Sequence, residues 1–122
     1  MPKPTLLEVT KKLYEFFDSK EKWTKNVMCR DISGVAYPID VATATCWCLL
    51  GAFSRNFPNT PSIYWNNEIG AFYDSFVIPY GFRNVVDFQD DPRITFNGFR
   101  WLLRKAYELA KKGSEDGGDY NG

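Results

Sequence analysis

Apolar positions recur at helical spacing near both ends of this chain and change rhythm in between. Leu6, Val9, Leu13, Phe16 and Phe17 share one face, with Lys11, Lys12 and Glu15 opposite, which predicts a helix over 6–18. Thr5 and Glu8 precede it in capping-box spacing, where hydroxyl and carboxylate each satisfy a free backbone amide of the other. Phe96, Phe99, Leu102, Leu103, Ala106 and Ala110 repeat the pattern opposite Arg100, Arg104, Lys105, Glu108 and Lys111. They predict a helix over 95–112 with Thr95 as its N-cap.

The middle of the chain reads differently. Glu21 to Thr24 forms a turn or short helical piece. Two short β-prone runs then flank Asp31-Ile32-Ser33-Gly34, which predicts a hairpin over 27–37 that must lie against helices to be stable. The run from Ala44 to Phe53 is apolar on every side of a helix, so a buried central helix is expected over 41–56, capped by Asp40. Pro58 and Pro61 break the chain. Ser62 then caps a third helix over 62–78, weakened by Gly70 and ended by Pro79-Tyr80-Gly81. Asn84 to Phe88 reads as an extended connector. The tail 113–122 is acidic and Gly-rich, and disorder is expected there. The fold class that follows is mainly α within α+β: about four helices around an apolar central one, with one small hairpin, in a single domain over 1–112.

Composition narrows the chemistry. There is no histidine, which removes the commonest general base, nucleophile partner and metal ligand. Fifteen basic and fifteen acidic residues cancel, so no global field favours nucleic acid or an anionic membrane, and neither is an expected partner. The balance is uneven: residues 1–30 and 83–112 each carry seven Lys or Arg against four acids. Lys11, Lys12, Arg100 and Arg104 could therefore share a mildly basic face, for which weak nucleic-acid binding is a third-ranked reading. The apolar runs are too short to span a bilayer, and the Met-Pro-Lys-Pro start leads into an amphipathic segment rather than a signal sequence. With Cys29, Cys46 and Cys48 an odd set, reduced thiols and a cytoplasmic location are expected.

Motif chemistry is sparse. On one helix Cys46 and Cys48 would point about 200° apart, unable to chelate one ion. Asp87, Asp90 and Asp91 lack the spacing of a calcium loop and suit the start of the last helix instead. Phosphate-loop, dinucleotide and nucleophile-elbow signatures do not occur. No catalytic residue, metal site or cofactor is assigned. What remains is an aromatic band, in a chain with ten Phe, seven Tyr and four Trp. Within it Tyr64, Trp65, Tyr73 and Tyr80 are the candidate surface for a protein partner or self-association.

Several pieces resemble a family of small bacterial and bacteriophage proteins without an assigned activity. They are Trp23-Thr24, Asp31 with Gly34, and Cys48-Leu49-Leu50-Gly51-Ala52. Asp90, Pro92 and Thr95 follow, then Phe99, Leu103 and Ala106. Phe88-Gln89 stands where that family has Trp-Asn, and Ile94 where it tends to place Arg, with Arg93 alongside. The resemblance implies a fold type and a phage or bacterial setting. The leading expectation is a non-enzymatic accessory protein that binds a macromolecule or itself through the aromatic surface. The alternative is a small-ligand protein whose pocket is formed by Trp23, Asp90 and Arg93.

Overall fold

The computed structural model of the chain describes residues 3–115. It is mainly helical, with a small three-stranded antiparallel sheet. Helix α1 spans Leu6–Phe16 and begins with the expected capping box: Glu8 N donates to Thr5 Oγ1 at 3.1 Å, and Thr5 N donates to Glu8 Oε1 at 3.0 Å. Its buried side, Leu6, Val9 and Leu13, packs along the last helix, α6 (Phe96–Glu115). Phe17, just past α1, meets Phe99 of α6 edge to face at 4.9 Å. Phe99, Leu102, Leu103, Ala106 and Ala110 are all buried, as their spacing requires. α6 continues through Gly113, Ser114 and Glu115, three residues of the expected disordered tail, and the rest of that tail lies outside the described residues.

A 3₁₀ turn at Lys20–Lys22 leads to β1 (Cys29–Asp31) and β2 (Ala36–Tyr37), the expected hairpin. Asp31 stiffens its turn. Its carboxylate accepts from Ser33 N at 2.9 Å, Val35 N at 3.1 Å and the Tyr37 hydroxyl at 2.9 Å, while Gly34 adopts φ 85°. The tip leaves Ile32, Val35 and Ile39 exposed.

The expected central helix is shorter than its apolar run. Ala44–Trp47 is a strand, β3, paired antiparallel with β1 on the side opposite β2. A continuous apolar run looks the same for a buried strand and a buried helix, and the unpaired edge of β1 decides between them. Helix α2 (Leu49–Asn56) therefore starts late, with Cys48 as its N-cap; the thiol accepts from Gly51 N at 3.3 Å. Asp40 is not a cap. It bonds Trp47 Nε1 at 2.9 Å and Arg55 at 2.7 and 3.0 Å, clamping β3 to α2. Burial raises its affinity for a proton, but the Arg55 and Trp47 bonds outweigh that and hold the carboxyl below the usual range.

The third helical segment carries a change of pitch. α3 (Ser62–Tyr64) runs into a π turn at Trp65–Ile69 and on into α4 (Gly70–Val77), closed by a 3₁₀ turn at Ile78–Tyr80. The wide turn keeps Tyr64, Trp65, Ile69, Tyr73 and Val77 on the buried side, where a uniform α-helix would rotate some of them out. The expected extended connector is a helix, α5 (Val85–Asp90), whose free amides are satisfied by side chains: Asp87 N donates to Asn84 Oδ1 at 2.8 Å and Val85 N to Asp74 Oδ1 at 2.6 Å.

Gly51 marks where α2 meets the chain entering β1. A β-carbon there would stand 2.1 Å from the Met28 carbonyl oxygen, so only glycine permits this approach. Gly51→Ala is expected to lower stability by about 3 kcal/mol, since backbone rather than a flexible side chain has to move. Urea denaturation checks this as a lower midpoint at unchanged slope.

Candidate functional groove

An open groove of about 420 Å³ lies where the hairpin, the start of α2 and α5 come together. Leu49, Trp65, Val85 and Gln89 are buried and form its base; Ala36, Pro38 and Val86 are exposed at its rim. Val27, Met28, Cys48 and Leu50 add to a mainly apolar lining, in which Asn26, Tyr37 and Asp90 are polar. Burial pushes the Cys48 thiol above its ordinary range, the bonds from the α2 amides oppose this, and the charge of Asp90 adds to the upward shift. The group serves as the cap of α2, accepting from Gly51 N.

The polar end is built around Gln89, a buried amide in α5. Its Oε1 accepts from Trp23 Nε1 at 3.1 Å and from Leu49 N at 3.0 Å, and its Nε2 donates to Asp90 Oδ1. The same Asp90 oxygen accepts from Asn26 N at 2.8 Å. Asn26 reaches that position with φ 70°, a left-handed conformation asparagine tolerates better than most residues. Lys25 fastens this segment further, donating to the carbonyls of Asp91 at 2.5 Å and Ile94 at 2.6 Å. Asp90 is the only charged side chain in the lining, and its Oδ2 has no partner among the described residues.

Two members of the expected Trp23, Asp90 and Arg93 trio meet here, and the third does not. Trp23 is linked to Asp90 through Gln89, but its ring stacks on Phe99 at 4.6 Å and stays outside the groove. Arg93 turns back on Asp91, at 3.0 Å through Nε and 2.9 Å through Nη2, and sits over the Phe82 ring. That guanidinium holds the Asp91 carboxyl down at about 2. Asp87 pairs with Arg83 at 2.7 Å, so the three clustered acids serve three different partners. Among the described residues no three His, Cys, Asp or Glu side chains stand together as a metal site.

The expected aromatic surface is mostly interior. Tyr64, Trp65 and Tyr73 are buried, and of the four only Tyr80, 68% exposed, faces solvent. The π turn is the reason, because it sets these rings on the core side. The Tyr64 hydroxyl donates to Pro4 O at 2.5 Å, and Trp65 packs between Phe53 at 5.2 Å and Tyr73 at 6.1 Å. The Tyr73 hydroxyl is fully buried and has no hydrogen-bond partner among the described residues. Gln89 and Asn26 were not expected at a site. The available signal was an amide side chain, Gln89, at the position where the sequence resemblance expects Asn.

No family model, curated protein or solved structure matches this chain. No helix among the described residues is long and apolar enough to cross a membrane.

Gln89→Leu is expected to cost about 3 kcal/mol, because Trp23 Nε1 and the Leu49 amide lose their acceptor while buried. Hydrogen exchange checks it: the Leu49 amide exchanges faster, well beyond any change in the middle of α6. Tyr73→Phe is expected to act in the other direction. Removing an unsatisfied buried hydroxyl raises stability by up to about 1 kcal/mol, seen as a thermal midpoint about 4 °C higher.

Proposed function

We propose that the protein is a receptor for a small, largely apolar ligand that carries a hydrogen-bond donor or a cationic group at one end. The observation that supports it is the groove itself: about 420 Å³ of apolar lining with one carboxylate, Asp90, at its polar end. Ligand sites are usually of this kind, apolar clefts of a few hundred cubic ångströms with a few polar groups that fix orientation. Gln89 has both ends engaged and the Tyr37 hydroxyl is committed to Asp31, which leaves Asp90 Oδ2 as the charged acceptor to read the ligand, beside the Asn26 amide. Binding fits a groove whose thiol caps a helix and whose carboxylate is held in place through one oxygen. The resemblance to small phage and bacterial proteins supports a phage or bacterial accessory role.

A second reading, association with a macromolecule or another copy, moves from the aromatic band to the hairpin tip. There Ile32 is 90% exposed on a turn already locked by Asp31. Concentration-independent monomer in native mass spectrometry, with Ile32→Asp leaving partner capture intact, would remove it.

The ligand reading is tested with alkylamines and alkyl carboxylates of equal chain length, titrated by calorimetry. The amine is expected to bind about tenfold tighter, the difference a charge-assisted hydrogen bond makes. Asp90→Asn should erase that preference, and Ala36→Trp, which fills the rim, should abolish binding of both while the thermal midpoint holds. Equal binding by the Ala36→Trp variant overturns the reading.

A further inference from the structure

The arginines of this chain are not equally neutralised. Arg55, Arg83 and Arg93 each bond a carboxylate, and Arg30 bonds the Thr24 hydroxyl and the Gly34 carbonyl. Arg100 and Arg104 have no acidic partner among the described residues. Arg100 donates to the Tyr14 carbonyl at 2.5 Å, and Arg104 makes no hydrogen bond there. They stand one helical turn apart on α6, so both guanidinium groups project from one face. The nearest acid in α6, Glu108, lies 4.0 Å from Lys105. Two uncompensated forks on one face suit the oxygens of a phosphate, which arginine meets in bidentate fashion.

The same face is aromatic. A depression of about 250 Å³ is lined by Tyr14, Asn97, Arg100, Trp101 and Arg104. The Arg100 guanidinium lies 4.1 Å over the Tyr14 ring, and Trp101 meets the exposed Tyr80 edge to face at 5.7 Å. The Tyr14 ring is already flanked by Arg100 and Tyr107, while Trp101 is half-buried and keeps surface for a planar partner. Asn97 adds an amide that donates and accepts, as a base edge demands. None of these residues lines the apolar groove.

We propose that the seam between α1 and α6 binds a nucleotide unit, free or within a single strand, with Arg100 and Arg104 on the phosphate and Trp101 against the base. The zero net charge of the whole chain, which counted against nucleic acid, does not describe this face. Aromatic stacking beside the arginines favours a base-bearing anion over an acidic peptide.

The test uses the full chain and fluorescence anisotropy with labelled oligothymidylate, competed by adenosine monophosphate and by a polyglutamate peptide of equal charge. Binding is expected to weaken about tenfold in Arg104→Ala, the loss of one charge-assisted contact. Arg104 is exposed and unbonded, so the fold is retained. The logarithmic salt slope should lie near −1.4, about −0.7 for each of two phosphates. Competition by the mononucleotide assigns a free-nucleotide site, and binding of the strand alone assigns a strand site; both support the proposal. Equal competition by polyglutamate, an unaffected Arg104→Ala, or no binding at low salt overturns it.

Discussion

One buried amide, the side chain of Gln89, joins three separate pieces of chain. Through it α5 holds Trp23 from the segment before the sheet and the first amide of α2, and passes on to Asp90 and Asn26. A buried donor without an acceptor is costly, so the three segments are fixed in mutual position rather than merely in contact. The geometry of the groove follows from this. Its polar end is the same cluster that fixes its base, and the carboxylate presented there is held on one oxygen by Gln89 and Asn26.

What could be read from the chain divides along local and non-local lines. The capping box of Thr5 and Glu8 and the faces of α1 and α6 involve residues within one or two turns, and they appear as expected. The hairpin is local too, with Asp31 and Gly34 in its turn. β3 was not legible, since Ala44 to Trp47 is a strand only because β1 offers it an edge. α5 was missed because its short helix depends on Asn84 and on the distant Asp74.

The site shows the same division. Trp23 and Asp90 were singled out and do fall within one network, yet the amide between them was invisible, because its donors come from residues 66 and 40 positions away. Aromatic residues in the third helical segment looked like surface because a uniform helix buries only part of its circumference. The charge count misled in the opposite sense. Equal totals conceal that acids are spent on Arg55, Arg83 and Arg93 while the two arginines of α6 pair with none among the described residues.

The π turn at Trp65–Ile69 makes the fold depend on arithmetic as well as on chemistry. A π turn amounts to one residue more than an α-helical count would use. Gly70 records the crowding that results: a β-carbon there would stand 2.8 Å from the Trp65 carbonyl oxygen. With the surplus residue kept, closing the segment as ordinary helix would turn everything ahead of it by about 100° about the axis. Tyr64 would then no longer face Pro4, and the bond that ties the start of α1 to this segment would open. The wide turn absorbs the surplus: five residues at π pitch sweep about as far as four at α pitch, so the helix on either side keeps one register. A deletion within Trp65–Ile69 that spares the rings would therefore let the segment close as ordinary helix with its buried face intact.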